Sequence, residues 1–366
     1  MFHRRLLIVL LFVSGIAIAA EGARLHRHSG DCRCQPQAVK SPAEVEQILR
    51  KLRPHFPGKT DVQIIDVLRG YVTHDDSKEM DGMRWLADRL EQARKQKESV
   101  KGIMSVAGAS VDYDWHLVPF GDLAGPGGWM QKPPDTQPSG PEWLRNLLGQ
   151  DFFAEVIEVD LSRTKATNDD LKYLGGLPHV ARILCQDTAI SDAGLEHLEG
   201  LRQLREAYLT AMPITDAGLA HLKGLRNLRL LWLFETKITD KGLVYLTGLH
   251  ELQSLWLKDD SIKGTGLVHL AGLSKLQELD LQGTEVSGPG LERLKSLPQL
   301  AYLNLVGTSI QDDGLAHLKE LTQLRKVDLL ATAVTAEAGK KLELALPNCQ
   351  FRYPGGPASF RAPSRN

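Results

Sequence analysis

Cysteine is scarce in this chain, with four in 366 residues. That is too few for a fold built on a disulfide framework. Charge of one sign is also missing: 44 Lys and Arg against 45 Asp and Glu leave a formal net charge of −1. Broad electrostatic attachment to nucleic acid or to an anionic membrane is excluded on that balance. There is no N-x-S/T sequon. The long hydrophobic run of a membrane span is absent too, since the apolar stretch from Leu6 to Ala20 is 15 residues, short of the roughly 20 a spanning helix needs. Arg4 and Arg5 precede that stretch, and it ends in the small-residue site Ala17-Ile18-Ala19-Ala20. Residues 1–20 therefore read as a cleaved secretory signal, with an uncleaved anchor as the alternative. An exported protein is expected, periplasmic, cell-surface or extracellular, with no stable membrane span once the signal is cleaved. No nucleophile–base pair and no phosphate-binding loop stands at motif spacing, so the expectation is a non-enzyme without a cofactor.

What the chain does have is a period. Thr164, Thr188, Thr236, Thr284, Thr308 and Thr332 share one phase of a 24-residue repeat, with Met212 and Asp260 at the same phase. Seven full repeats cover residues 164–331, with partial units on either side. The unit 236–259, TKITDKGLVYLTGLHELQSLWLKD, is representative. Its leucines recur every three residues from Leu243 to Leu252, then two apart at Leu255 and Leu257. The first spacing approximates a helical face and the second is that of a strand. An apolar share of 42% is enough for a long core. A fixed period of this length means an elongated scaffold whose usual work is binding.

Two unequal widths then predict the shape. Strands pack about 4.8 Å apart, whereas helices need about 10 Å. Stacked strand-plus-helix units must curve, with parallel strands on the concave face and helices on the convex face. The expected fold class is an α/β solenoid of this kind. Asp192, Asp216, Asp240 and Asp312 stand where the helical segments begin, as caps or favourable charges. Gly264 and Gly288 replace that Asp in two repeats, so looser starts are expected there. The threonines at this phase could satisfy turn backbone groups in a ladder, weakened locally at Met212 and Asp260.

The flanks read differently. Residues 21–40 form a polar tail holding His26, His28, Cys32 and Cys34. These could offer four metal ligands, but the spacing fits no strong zinc signature, and a flexible tail without a metal is expected. Residues 41–100 have a helical pattern opened by the capping box Ser41-Pro42-Ala43-Glu44; the third helix should dissolve into charge at its end. Residues 101–140 hold one candidate strand at 111–115 and a Gly/Pro linker. Residues 141–163 should cap the first repeat, with Trp143, Leu147, Phe152 and Phe153 over its open end. A partial repeat at 332–354 should close the other end, before a disordered tail at 355–366. Cys185 takes a core leucine phase and Cys349 lies at the far end of the array, so no disulfide between them is expected.

The LxxLxLxxT pattern resembles the leucine-rich repeat, with Thr in place of the more familiar Asn. The AGASVDYDW stretch, the PEWLRNLLGQDFF segment and the TxITDxGLxxLxGL units together resemble a group of exported bacterial leucine-rich repeat proteins over residues 101–353. The TDxGLxxL units are also similar to the repeats of F-box adaptor proteins. The cysteines of that family's repeats are absent and no F-box is evident, which argues against a ubiquitin-ligase role.

The strands predict the inner face. Its central column reads Asp160, Leu184, Tyr208, Trp232, Trp256, Asp280, Asn304, Asp328. Glu206 lies in the column before it and Phe234 in the column after it. Tyr208, Trp232, Phe234 and Trp256 have the composition of a binding hot spot. Asp280 and Asp328 would act as exposed rim charges, with Glu206 and Asn304 as further candidates beside them. Those eight are the candidate partner-binding residues. The partner expected is a protein or peptide; a glycan, or a structural role in the cell envelope, is the alternative. The aromatics could equally brace the sheet internally. A convex column, His197, His221, His269 and His317, reads as a half-exposed consensus position rather than a metal site.

Overall fold

The computed structural model describes residues 92–93, 95–113, 117–119, 129–131 and 155–356. The signal, the His26/His28/Cys32/Cys34 tail, the capping box and the aromatic cap residues from Trp143 to Phe153 lie outside the described residues. The chain divides into two units, Met1–Arg94 with Ser139–Phe153, and Lys95–Pro138 with Ala154–Asn366. The second holds every described strand.

Ten strands form one open sheet in that unit, in the order β1 (Ser110–Tyr113), β4 (Val156–Asp160), β5 (Arg182–Leu184), β6 (Glu206–Tyr208), β7 (Leu230–Trp232), β8 (Ser254–Trp256), β9 (Glu278–Asp280), β10 (Tyr302–Asn304), β11 (Lys326–Asp328) and β12 (Gln350–Arg352). From β4 onward every pair is parallel and in register at a 24-residue offset, as in Ala207↔Leu231↔Leu255. β2 (Leu117–Pro119) and β3 (Trp129–Gln131) make a separate antiparallel hairpin. Each strand from β4 to β11 is followed by a turn and a short helix, mostly 3₁₀. The leucine spacing explains why: at three residues per turn, side chains at i and i+3 eclipse, so Leu243 and Leu246 both point inward from the helix Gly242–Leu246, and the i+3 turns after it carry on the spacing to Leu249 and Leu252, all four being fully buried. The inward strand positions join them, Leu231, Leu255, Leu279 and Leu303 being completely inaccessible. The fold is a leucine-rich repeat solenoid.

Both ends are closed. Residues 95–103 are helical rather than a charged dissolving end. Ile103, Ala109 and Tyr113 enter the core, and β1 pairs antiparallel with β4. The Val156 N–H donates to Gln96 Oε1 at 3.4 Å. At the far end the helix Ala336–Ala345 and β12 bury Leu342, Phe351 and Tyr353.

The threonines satisfy turn backbone groups as expected, and the aspartates play a different part from the one the sequence suggested. Five hydroxyls at the threonine phase stay within their own turn: Thr164, Thr188, Thr284, Thr308 and Thr332 each donate to the carbonyl three residues earlier, at 2.6–2.9 Å, whereas Thr236 donates across to Asp260 in the next repeat at 2.7 Å. The aspartates carry the link between repeats. Asp192 accepts from the Thr215 N–H and hydroxyl at 2.7 and 2.5 Å, and Asp216 accepts likewise from Thr239 at 2.8 and 2.6 Å. So these aspartates do not cap their own helices. Ser191 and Thr215 hold the N-cap positions, and each Asp ties down the cap of the next repeat. Gly264 and Gly288 lack that carboxylate, yet they do not loosen the packing. A Cβ on Gly288 would stand 2.8 Å from the Gly314 Cα, so the missing side chain lets neighbouring backbones close up. After each strand one residue turns left-handed: Arg163, Asp187, Ala211, Glu235, Asp259 and Ala331, with Gly283 and Gly307 at the same phase.

Candidate functional site

Strand register builds the inner face. Tyr208, Trp232 and Trp256 are direct partners across β6, β7 and β8. The indoles of Trp232 and Trp256 stack with centroids 4.2 Å apart and planes 14° apart. Tyr208 meets Trp232 edge-on at 4.8 Å. Phe234 lies 6.2 Å from Trp232 and 6.4 Å from Trp256. The structure thus brings together the four aromatics that the sequence placed on adjacent strands. Tyr208 is buried, while Trp232, Phe234 and Trp256 are half-buried. Beside them Leu230, on the same face, is 3% exposed. Both indole nitrogens are buried and have no hydrogen-bond partner among the described residues.

Charges frame this cluster. Arg182 lies between two carboxylates, 2.9 Å from Glu158 and 3.3 Å from Glu206. Its guanidinium also sits 5.5 Å from the Tyr208 ring centroid. The Tyr208 hydroxyl donates to Glu206 Oε2 at 3.1 Å. Burial, with the Glu206 carboxylate second, pushes the Tyr208 hydroxyl well above its ordinary range. Burial likewise raises Glu158, against the opposing pull of Arg182. On the other side Lys258 stands 6.0 Å from the Phe234 ring. Sequence reading missed the Arg182 bridge. Its signal was present as Glu158, Arg182 and Glu206 in one column of three neighbouring strands.

The acidic column is not an exposed rim, and this corrects the sequence reading. Glu206, Asp280, Asn304 and Asp328 are all buried, at 1–6% exposure. Asp280 Oδ1 accepts from the Gln282 N–H at 2.9 Å, and its Oδ2 accepts from Asn304 Nδ2 at 2.8 Å. Asn304 Oδ1 accepts from the Val306 N–H at 3.1 Å, and Asp328 Oδ1 from the Leu330 N–H at 3.2 Å. Arg352 bonds to the other oxygen of Asp328. The reason is local: a short acceptor two residues before the turn satisfies the N–H that the strand's end leaves open. Burial raises the Asp280 carboxyl above its ordinary value despite those bonds.

The convex histidines sit between leucines. His221 Nδ1 is 2.7 Å from Glu199 Oε1, and His197 lies 3.7 Å from Glu196. Among the described residues no cluster of three or more His, Cys, Asp or Glu side chains is placed to hold a metal, and no helix is long and apolar enough to cross a membrane. Cys185 and Cys349 are both buried free thiols.

A leucine-rich repeat family model matches residues 272–295. No curated protein matches the chain. Among solved structures, the chain is similar to an internalin C2 from Listeria monocytogenes, at 21% identity over 54% of this chain and 80% of that one, with a TM-score of 0.41. It is also similar to a leucine-rich repeat protein of Leptospira interrogans, at 17% identity over 50% of this chain and 51% of that one, again with a TM-score of 0.41. At these scores neither likeness carries an argument about what the inner face does.

Proposed function

We propose that the protein is an exported, non-catalytic leucine-rich repeat scaffold that binds a protein or peptide on its concave face through Tyr208, Trp232, Phe234 and Trp256. One observation carries this reading: four aromatic rings join on adjacent strands, at the middle of the array, with three of them half-exposed. Large, rigid rings with low conformational entropy are what protein hot spots are made of. Glu206, Asp280, Asn304 and Asp328 support the site from within, holding Arg182 and the strand ends. Their oxygens already serve backbone and side-chain donors, which favours binding over acid–base chemistry. The stacking favours a peptide over a glycan. A sugar ring packs on an open aromatic face, and here each indole covers the inner face of the other at 4.2 Å.

The test is selection of peptides from a displayed library against the whole protein, followed by calorimetric titration of the selected ligand. Phe234→Ala removes only the looser ring contacts, so it separates binding from folding. We expect it to weaken binding about tenfold or more, and Trp232→Ala by about 2 kcal/mol or more. Ligands that bind both variants as tightly as wild type overturn the proposal. Export is tested by sequencing the mature N-terminus, expected near residue 20 or 21; a cytosolic mature form retaining Met1 contradicts it.

A further inference from the structure

Asp260 is the carboxylate that takes the place of threonine at the phase just after an inner strand. In five other repeats the residue at this phase uses its hydroxyl to donate to the carbonyl three residues back, as Thr284 does to Leu281 at 2.6 Å. A carboxylate has no proton to give. Asp260 instead accepts on Oδ1 from both the N–H and the hydroxyl of Thr236, at 3.0 and 2.7 Å. Thr236 therefore points to the next repeat and not to its own turn. The backbone beneath has not changed: the Asp260 N–H still donates to the Leu257 carbonyl at 3.3 Å, matching the Thr284 N–H to Leu281 at 3.2 Å. The acceptor that a hydroxyl would use is thus in its usual place. Asp260 itself is 4% exposed, and its Oδ2 is buried with no hydrogen-bond partner among the described residues.

The surroundings offer no compensating cation among the described residues. On its own turn Asp259 repels it, and Lys258 is paired to Asp259 at 3.5 Å. On the preceding turn Glu235 and Lys237 are both exposed. On the following turn Gly283 and Thr284 are uncharged, and the exposed Glu285 pairs with Lys263 at 3.7 Å.

We propose that Asp260 is a proton-operated latch between two turns, the one that follows Phe234 and the one that follows Trp256. A single proton taken from water onto Oδ2 removes the buried charge. It also supplies the missing donor, which engages the Leu257 carbonyl as threonine does elsewhere. Oδ1 keeps both bonds from Thr236. The latch stands on its own geometry and holds whether or not the aromatic cluster binds a peptide. It lies four residues after Trp256 and two repeats of backbone meet at it, so it sets how firmly those two turns are joined.

Burial pushes this carboxyl up to about 7, with the Thr236 bonds and the Ile238 backbone N–H opposing the rise. In the unfolded chain it titrates near its ordinary value of about 4. Between those limits the folded state holds the extra proton, so the group's contribution to stability is full below about pH 4 and is lost as pH rises through about 7.

Two measurements decide it. The side-chain carboxyl ¹³C resonance of Asp260, assigned by its loss in Asp260→Asn, should titrate with a midpoint near 7; a midpoint near 4 overturns the latch. Asp260→Asn keeps an acceptor and a donor at every pH. Its urea midpoint should exceed that of wild type by more at pH 8 than at pH 5. A difference that stays constant over that range overturns the latch as well. If the variant fails to fold, the wild-type resonance, assigned by selective labelling, still decides.

Discussion

Asp216→Ala should unlock one joint of the solenoid. The Asp216 carboxylate accepts two bonds from Thr239, at 2.8 and 2.6 Å, across the gap between repeats. A hydrogen bond to a charged group contributes about 1.5–3 kcal/mol when buried. Asp216 and Thr239 are half-buried, and solvent takes up part of the loss. We expect about 2–3 kcal/mol for the pair together. With a urea dependence of about 2–3 kcal/mol/M for a domain of this size, the unfolding midpoint should fall by about 1 M. Thr239→Val removes the hydroxyl bond to Asp216 together with the longer bond from the Lys241 N–H at 3.3 Å, and the double variant should still cost less than the two single losses added, because both report the shared Asp216–Thr239 contact. Glu292→Ala, exposed on the convex side, is the control and should stay within about 0.5 kcal/mol. If Asp216→Ala matches that control, the aspartate ladder does not hold the repeats together.

Further outcomes follow from the same geometry. Leu231 is completely buried on β7, so Leu231→Ala should cost about 2–5 kcal/mol, while exposed Arg229→Ala should cost under about 0.5 kcal/mol; denaturant midpoints compare them. Gly283 has φ +69 and a Cβ there would clash with the Asp259 carboxylate, so Gly283→Ala should lower the melting temperature. Glu235, at φ +58, should become more stable as Gly by up to about 1 kcal/mol. Asp328→Ala should destabilise by about 3–5 kcal/mol, because Arg352 and the Leu330 N–H lose a buried acceptor; a variant with wild-type stability and altered association rate would return Asp328 to an exposed rim.

The period made most of the fold legible. Leucines three apart and then two apart could satisfy one core only as a short helix and a strand, and Leu243 to Leu257 do so. Spacing alone did not separate α from 3₁₀ helix, since one turn of either fits three residues. Polar positions were harder to read. Thr164 and Asp192 both had the right chemistry for a ladder, but their partners depend on how far apart repeats stand on each side of the curve. The inner face was legible in identity and not in burial. Register placed Tyr208, Trp232 and Trp256 side by side, whereas the inward fold of Asp280 and Asp328 onto their own N–H groups two residues on is a matter of local backbone that no alternation pattern carries. That local bond also changes what Trp232 means. It is held by Tyr208 at 4.8 Å and Trp256 at 4.2 Å, so Trp232→Ala should also lose stability, at about 0.5–1.5 kcal/mol for each ring contact.

The central claim is that the aromatic inner face, and not the convex side, receives the partner. Titration of a library-selected peptide into wild type, Phe234→Ala and Tyr245→Ala tests it most directly, Tyr245 being exposed on the convex side. Binding should weaken about tenfold or more in Phe234→Ala and be unchanged in Tyr245→Ala. The reverse pattern, with binding intact in Phe234→Ala and lost in Tyr245→Ala, would contradict the account.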